Sequence, residues 1–246
     1  MAEIDSPTRR AEKISEVVAR DIAHDIASRG LPPGTTLPSE AVMLERYQVG
    51  RASLREGLRI LEINGLISVR PGPGGGPVVA AASSKDFGRM STLHYQGTGA
   101  TFRELLEARM IMEPLMARLA AEQGDPGLID HLQDLSDLTK AGVNSDRDYS
   151  HYSSEFHAAI ASASGNRILN LFGRSLKDVY AERVPGAMFP LEERENVVRD
   201  HEAICKAIES GKGASAERMM RKHMNRFADF VSIRLPGALD EVVDWR

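Results

Sequence analysis

The sequence predicts a mainly α protein: an N-terminal winged helix-turn-helix over residues 1–80, then an all-α bundle of six or seven helices. Three observations predict it. Two short amphipathic segments are separated by Gln48-Val49-Gly50. Two short apolar runs, Leu66–Val69 and Val78–Ala80, flank the Pro71–Gly76 run PGPGGG. Beyond residue 86 almost every segment repeats its apolar residues at helical spacing, with breaks at glycine and proline.

Residues 10–28 place Ile14, Val17, Val18, Ile22 and Ile26 at helical spacing, and Gly30 with Leu31-Pro32-Pro33-Gly34 ends that helix. A second helix opens at Leu37-Pro38-Ser39-Glu40, where the Ser39 hydroxyl suits the orphan amides of the first turn, and runs to about Tyr47. The third runs from Arg51 to about Asn64, with Leu54, Leu58 and Leu61 facing inward and Gly65 ending it. The glycine-rich tip between two strands is the wing. Residues 81–86, AASSKD, are small and polar and read as a linker. The bundle is expected over residues 87–235. Its helices lie at about 86–96, 101–123, 126–140, 146–164, 167–179, 190–210 and 213–235, and residues 236–246 form a loosely ordered tail.

The helix-turn-helix sets its second helix in the DNA major groove. Arg51 and Arg55 are one turn apart on that helix and share a face. An arginine fork matches the O6/N7 pair of guanine. Ser53 and Arg59 are candidate phosphate contacts, and the wing glycines let backbone approach DNA without an intervening Cβ. The alternative is that these arginines are ordinary solvated charges. The glycine run is not a nucleotide-binding loop, because no Lys-Ser/Thr follows it and it opens no helix.

The net charge of −4 does not oppose this reading, because residues 1–76 hold ten basic and ten acidic side chains. The remainder carries 31 − 10 = 21 basic and 35 − 10 = 25 acidic residues, so all the acidity lies outside the winged part. Phosphate affinity then rests on a few placed arginines rather than on a basic surface. The single Cys205 excludes an internal disulfide framework. No apolar run approaches the roughly 20 residues of a membrane span, and the N-terminal residues are polar, so a cytoplasmic protein without membrane association is expected.

The bundle carries three notable histidines: His157, His201 and His223, each on a different predicted helix. Imidazoles from separate helices can converge on one metal inside a bundle. The alternative is that each is a partly buried, hydrogen-bonded histidine. A metal-dependent hydrolase with an accessory winged domain is the competing function, but no acidic residue is firmly placed beside the histidines as a general base.

The stretch from Pro32 to Val79 resembles the N-terminal domain of GntR-family transcription regulators. The resemblance rests on the Pro-Gly before Leu37-Pro38-Ser39-Glu40, on Arg51, on Leu54-Arg55-Glu56 and Leu61-Glu62, and on Gly65-Leu66-Ile67 and Gly74. It implies that Arg51 and Arg55 read bases and that Gly74 is the wing glycine. Gly50 stands where the family usually has serine, and Gly57 where it usually has alanine.

Residues 87–235 resemble the effector-binding domain of the FadR subfamily through Glu107-Ala108-Arg109 with Glu113, Phe156-His157 with Ser164-Gly165-Asn166, His201 and His223. The resemblance implies a divalent metal, zinc or nickel-like, held by His157, His201 and His223. It places the usual aspartate ligand at Ser153, so water or an effector carboxylate would complete the shell; the other option is a metal-free site that holds an anion directly. It implies that Arg109 faces a small carboxylate effector, the alternative being an intrahelical pair with Glu113 or Glu107. Ser153 and Asn166 are further effector contacts, although Asn166 also suits the cap of the next helix. The function implied is a repressor: a homodimer on a palindromic operator, modulated by a small organic acid.

Overall fold

The computed structural model describes residues 13–72, 75–81, 83–181 and 189–244, without the side chains of residues 180 and 181. The chain divides into two units, residues 1–86 and 87–246. In the first, α1 (Ile14–Ser28), α2 (Glu40–Tyr47) and α3 (Arg51–Ile63) precede a hairpin of β1 (Ile67–Arg70) and β2 (Gly76–Val79).

The helices start and stop where the sequence asks them to. The Ser39 hydroxyl accepts from the Val42 amide and caps α2. Gln48 ends that helix in the left-handed region, at φ 52°. Val18, Ile22 and Ile26 of α1 form one core with Met43, Leu54, Leu61, Ile67 and Val79. Gly57 lies where α1 crosses α3: a Cβ there would sit 3.1 Å from the Ser15 carbonyl and 3.2 Å from Val18. The glycine costs helix propensity and in exchange permits this close approach.

The hairpin is antiparallel, with Ile67 opposite Val79 and Arg70 opposite Gly76. Relative to the expected limits β1 is shifted one residue later, while β2 begins two residues earlier and ends one earlier. A third segment joins the sheet. Thr36 bridges Val78, and the Leu37 amide donates to the Pro77 carbonyl. At the wing, a Cβ on Gly75 would lie 2.2 Å from the Arg70 carbonyl, so only glycine fits. The expected wing glycine, Gly74, lies outside the described residues.

Gly50 is the N-cap of α3, at φ −76° and ψ 157°, with no side-chain cap and nothing within 4 Å of a Cβ. Gly50→Ser is therefore expected to stabilise the domain. Restriction of the unfolded chain contributes about 0.4–1 kcal/mol and the hydroxyl cap a few tenths more. A scan should show the melting temperature rising by about 2–5 °C; a fall would contradict the cap geometry.

The helical unit contains α4 (Ser84–Thr98), α5 (Phe102–Gln123), α6 (Pro126–Ala141), α7 (Asp146–Ala163), α8 (Arg167–Ala181), α9 (Leu191–Glu209), α10 (Gly213–Arg234) and the short α11 (Pro236–Leu239). Two expectations need correction. The linker read over 81–86 is shorter, because α4 already begins at Ser84. The tail read from residue 236 is packed through residue 243. Leu239 and Val243 are buried, Thr101 bridges Val242, and the Phe102 amide donates to the Glu241 carbonyl.

Caps set the helix ends. Thr101 and Glu104 form a capping box on α5, and Asp125 caps α6 with Pro126 in its first turn. Helix α5 is the central element, packing on α7, α8, α9 and α10. Ala117, Ala120, Ala121, Ala159 and Ala161 keep its contacts close, and Phe156, Ile204, Met220 and Met224 fill the space between helices. The inward faces of α5, α7, α9 and α10 thus meet along one buried axis, where the histidines lie. Among the described residues no helix is long and apolar enough to cross a membrane.

Candidate functional site

On α3, Arg51, Arg55 and Arg59 are exposed and Ser53 is half-buried, while Leu54 and Leu61 anchor the opposite face in the core. Arg55 is held from α2: its Nε lies 3.1 Å and its Nη2 3.3 Å from the two Glu40 oxygens. The Arg55 side chain remains 67% exposed, so the pair orients it without withdrawing it from solvent. The sequence reading did not include Glu40; a carboxylate fifteen residues away has no local signature.

In the helical unit His157 of α7, His201 of α9 and His223 of α10 converge, with one ligand atom from each within 4.8 Å of the others. His157 and His223 approach through their Nε2 atoms, 3.3 Å apart. His201 is fully buried and stacks on Phe156, with ring centres 3.9 Å apart. Neither His201 nitrogen has a hydrogen-bond partner. Two orphaned nitrogens in a dry core cost free energy, and a cation bound by the three imidazoles would satisfy one of them. The residues therefore fit a divalent metal that favours nitrogen donors.

Charged groups stand behind two of these rings. The Glu113 carboxylate accepts from Arg109 Nε at 2.6 Å and lies 2.5 Å from His157 Nδ1. Asp200 lies 3.5 Å from His223 Nδ1 and accepts from Arg226 at 2.8 Å. Burial favours the neutral acid at Glu113, but the charges of Arg109 and His157 outweigh it and hold the carboxyl well below its usual range. Burial and the neighbouring histidines push His201 far down, and burial lowers His223 against the pull of Asp200. For His201 and His223 the neutral imidazole, the form able to ligate, is the favoured state.

The remaining expected residues divide. Arg109 is buried and forms the intrahelical pair with Glu113, which was the alternative to effector contact. Ser153 is half-buried, one turn before His157 on the same helix. Asn166 is exposed, and its side-chain oxygen accepts from the Ile168 and Leu169 amides. It caps α8, the other role that the sequence suits. Arg194 was not anticipated. It is buried, donates to the Phe189 and Val143 carbonyls, pairs with Asp146 and lies over the Tyr149 ring. It fixes the start of α9 against α7. An open groove of about 940 Å³ runs outside α10, between Glu192, Glu193, Arg221, Lys222 and Arg226, and the three histidines do not line it.

A winged helix-turn-helix with exposed arginines on its second helix, joined to a helical unit with a buried polar site, defines a ligand-responsive regulator that binds DNA. Residues 14–75 match the model for bacterial regulatory proteins of the gntR family, and residues 104–226 match the FCD domain. The chain belongs to the GntR family of transcription regulators, with an FCD effector domain. It is 30% identical over 222 residues to the HTH-type transcriptional regulator Rv0494 of Mycobacterium tuberculosis, covering 88% of this chain and 89% of that one. It is 29% identical to the HTH-type transcriptional repressor NanR of Cronobacter sakazakii, covering 87% of this chain and 84% of that one. The fold matches the solved Streptococcus agalactiae GntR with a TM-score of 0.68 at 24% identity, over 88% of this chain and 99% of that one. These relatives regulate transcription, and nothing among them supports the hydrolase alternative.

Proposed function

We propose that the protein is a cytoplasmic repressor that binds a palindromic operator as a homodimer and answers to a small carboxylate together with a divalent metal. The observation that carries this reading is the gntR match over residues 14–75, on a fold whose α3 exposes Arg51 and Arg55. In it these two arginines read bases, Arg59 and Ser53 contact phosphate, and Gly74 at the wing lets backbone approach the duplex. Repression is the activity named for NanR. Self-association is supported by Ile111 and Leu115, which lie one turn apart on α5 and are 71% and 44% exposed; a second copy would remove this strip from water.

In this reading His157, His201 and His223 hold a zinc- or nickel-like ion. Three protein ligands leave a coordination position open to water or to an effector carboxylate. The bound ion would supply a positive centre for that carboxylate, with Ser153 beside it as a neutral contact. Arg109 supports the site through Glu113 and is available to an anion that displaces this pairing. The effector acts by binding one arrangement of the protein more tightly than the other.

Band-shift assays with the DNA upstream of the protein's own coding region test the whole reading. The expected result is a complex of two chains per palindrome that resists excess random duplex. It should respond to at least one small carboxylate in a series tested with and without Zn²⁺. Equal affinity for upstream and random DNA would overturn it.

A further inference from the structure

The three imidazoles carry no negative charge among them, and among the described residues only His157 has an ionised carboxylate within 3 Å. We infer that Glu113 is a positioning residue for metal binding, acting through His157 and not on the ion itself. The inference rests on the metal reading above and deepens it.

The argument begins with what each atom can do. An ionised carboxylate only accepts hydrogen bonds. Glu113 Oε1 accepts from Arg109 Nε at 2.6 Å, so this carboxylate is held in its charged form by a buried cation. Its other oxygen, Oε2, lies 2.5 Å from His157 Nδ1. Two acceptors cannot face each other at that distance, so Nδ1 carries the proton and donates it. A neutral ring protonated at Nδ1 has its lone pair on Nε2, the atom that points to His223 Nε2 at 3.3 Å. Glu113 therefore aims the free nitrogen of His157 at the centre of the cluster.

His223 is less constrained, because its Nδ1 makes no hydrogen bond among the described residues. Asp200 stands 3.5 Å from its Nδ1 and is shared with Arg226. With the His157 lone pair on Nε2, the 3.3 Å contact is a hydrogen bond donated by His223 Nε2, and His201 borders the same space. A metal ion bound there would take the place of that proton. A carboxylate behind a ligating imidazole also raises its basicity, and loss of such a partner lowers metal affinity about 10–100-fold. With serine at position 153, this indirect charge stands in for a carboxylate that would otherwise lie among the ligands. Arg109 completes the device: it keeps Glu113 ionised in a site with almost no solvent.

The test compares the full-length protein with Glu113→Gln and with the double variant Arg109→Gln/Glu113→Gln. The double variant leaves no unpaired buried charge, so it reports even if Glu113→Gln folds poorly. Co²⁺ serves as probe, its affinity and ligand-field spectrum read by titration. Both variants should bind Co²⁺ about 10–100-fold more weakly than the parent. In the metal-free parent, ¹⁵N correlations should show His157 protonated at Nδ1; in the double variant the two tautomers should mix. Unchanged affinity and an unchanged tautomer would overturn the role of Glu113 while leaving the metal site in place. A parent protein that binds no Co²⁺ or Zn²⁺ would overturn the metal reading and with it the metal role of Glu113, and the tautomer measurement would then tell whether the carboxylate still orients the ring.

Discussion

Replacing Arg51 or Arg55 by alanine should weaken binding to the operator about 5- to 150-fold per residue and leave binding to random DNA much less affected. The magnitude follows from the roughly 1–3 kcal/mol that a good bidentate arginine–guanine pair contributes to discrimination. The fold should survive. Both side chains are exposed, and the core contacts of α3 run through Leu54 and Leu61 on the other face. Loss of Arg55 frees Glu40, but an exposed pair of this kind contributes at most about 1 kcal/mol. Arg59→Ala gives the contrast: a phosphate contact should weaken all sequences alike and reduce the salt dependence by about one counterion. Fluorescence anisotropy with operator and scrambled duplexes at two salt concentrations separates these outcomes. If Arg51→Ala and Arg55→Ala both keep parental operator affinity, α3 is not the reading helix.

Removal of His201 should abolish the thermal response to metal. With Zn²⁺ at about 100 times its dissociation constant, the parent should gain about 2.7 kcal/mol, or about 5–10 °C in melting temperature for a chain of this size. In His201→Ala that shift should vanish and bound metal should fall to background by elemental analysis. The metal-free stability of the variant balances two effects: a cavity against Phe156 destabilises, and loss of two unpartnered buried nitrogens relieves a desolvation cost. The metal-induced shift is therefore the decisive measurement. The same shift in the variant as in the parent would exclude His201 from the site. Ser153→Asp is the companion, expected to tighten metal binding by placing a charged oxygen one turn before His157.

The sequence carried the helices because their signals are local. Ser39, Asp125 and Pro126 mark starts, and Gly65 and Gly124 mark ends, through chemistry within four residues. What it did not carry depends on distant partners. The third segment of the wing sheet is a single bridge from Thr36 to Val78, too short for alternation to appear. Helix α4 starts within a run of small polar residues that composition alone assigns to a linker. At the histidine site, the three rings were visible as residue types on separate helices. The approach of Glu113 to His157, across 44 positions, was not. Asn166 shows the converse: its local capping chemistry was in plain view, and its side chain takes that role at the start of α8.

The docking of residues 239–243 on residues 100–103 has a practical side. Two stretches about 140 positions apart are stitched together where α5 begins, through backbone hydrogen bonds and the Arg103–Asp240 pair. The helical unit is thereby a closed loop, with its seam on the helix that bears Arg109 and Glu113. Tension or bulk applied at residue 243, by a surface tether or a fused partner, would load that seam first. An attachment there should disturb effector response before it disturbs DNA recognition, so tethered or tagged forms of the protein call for a spacer beyond the stitch.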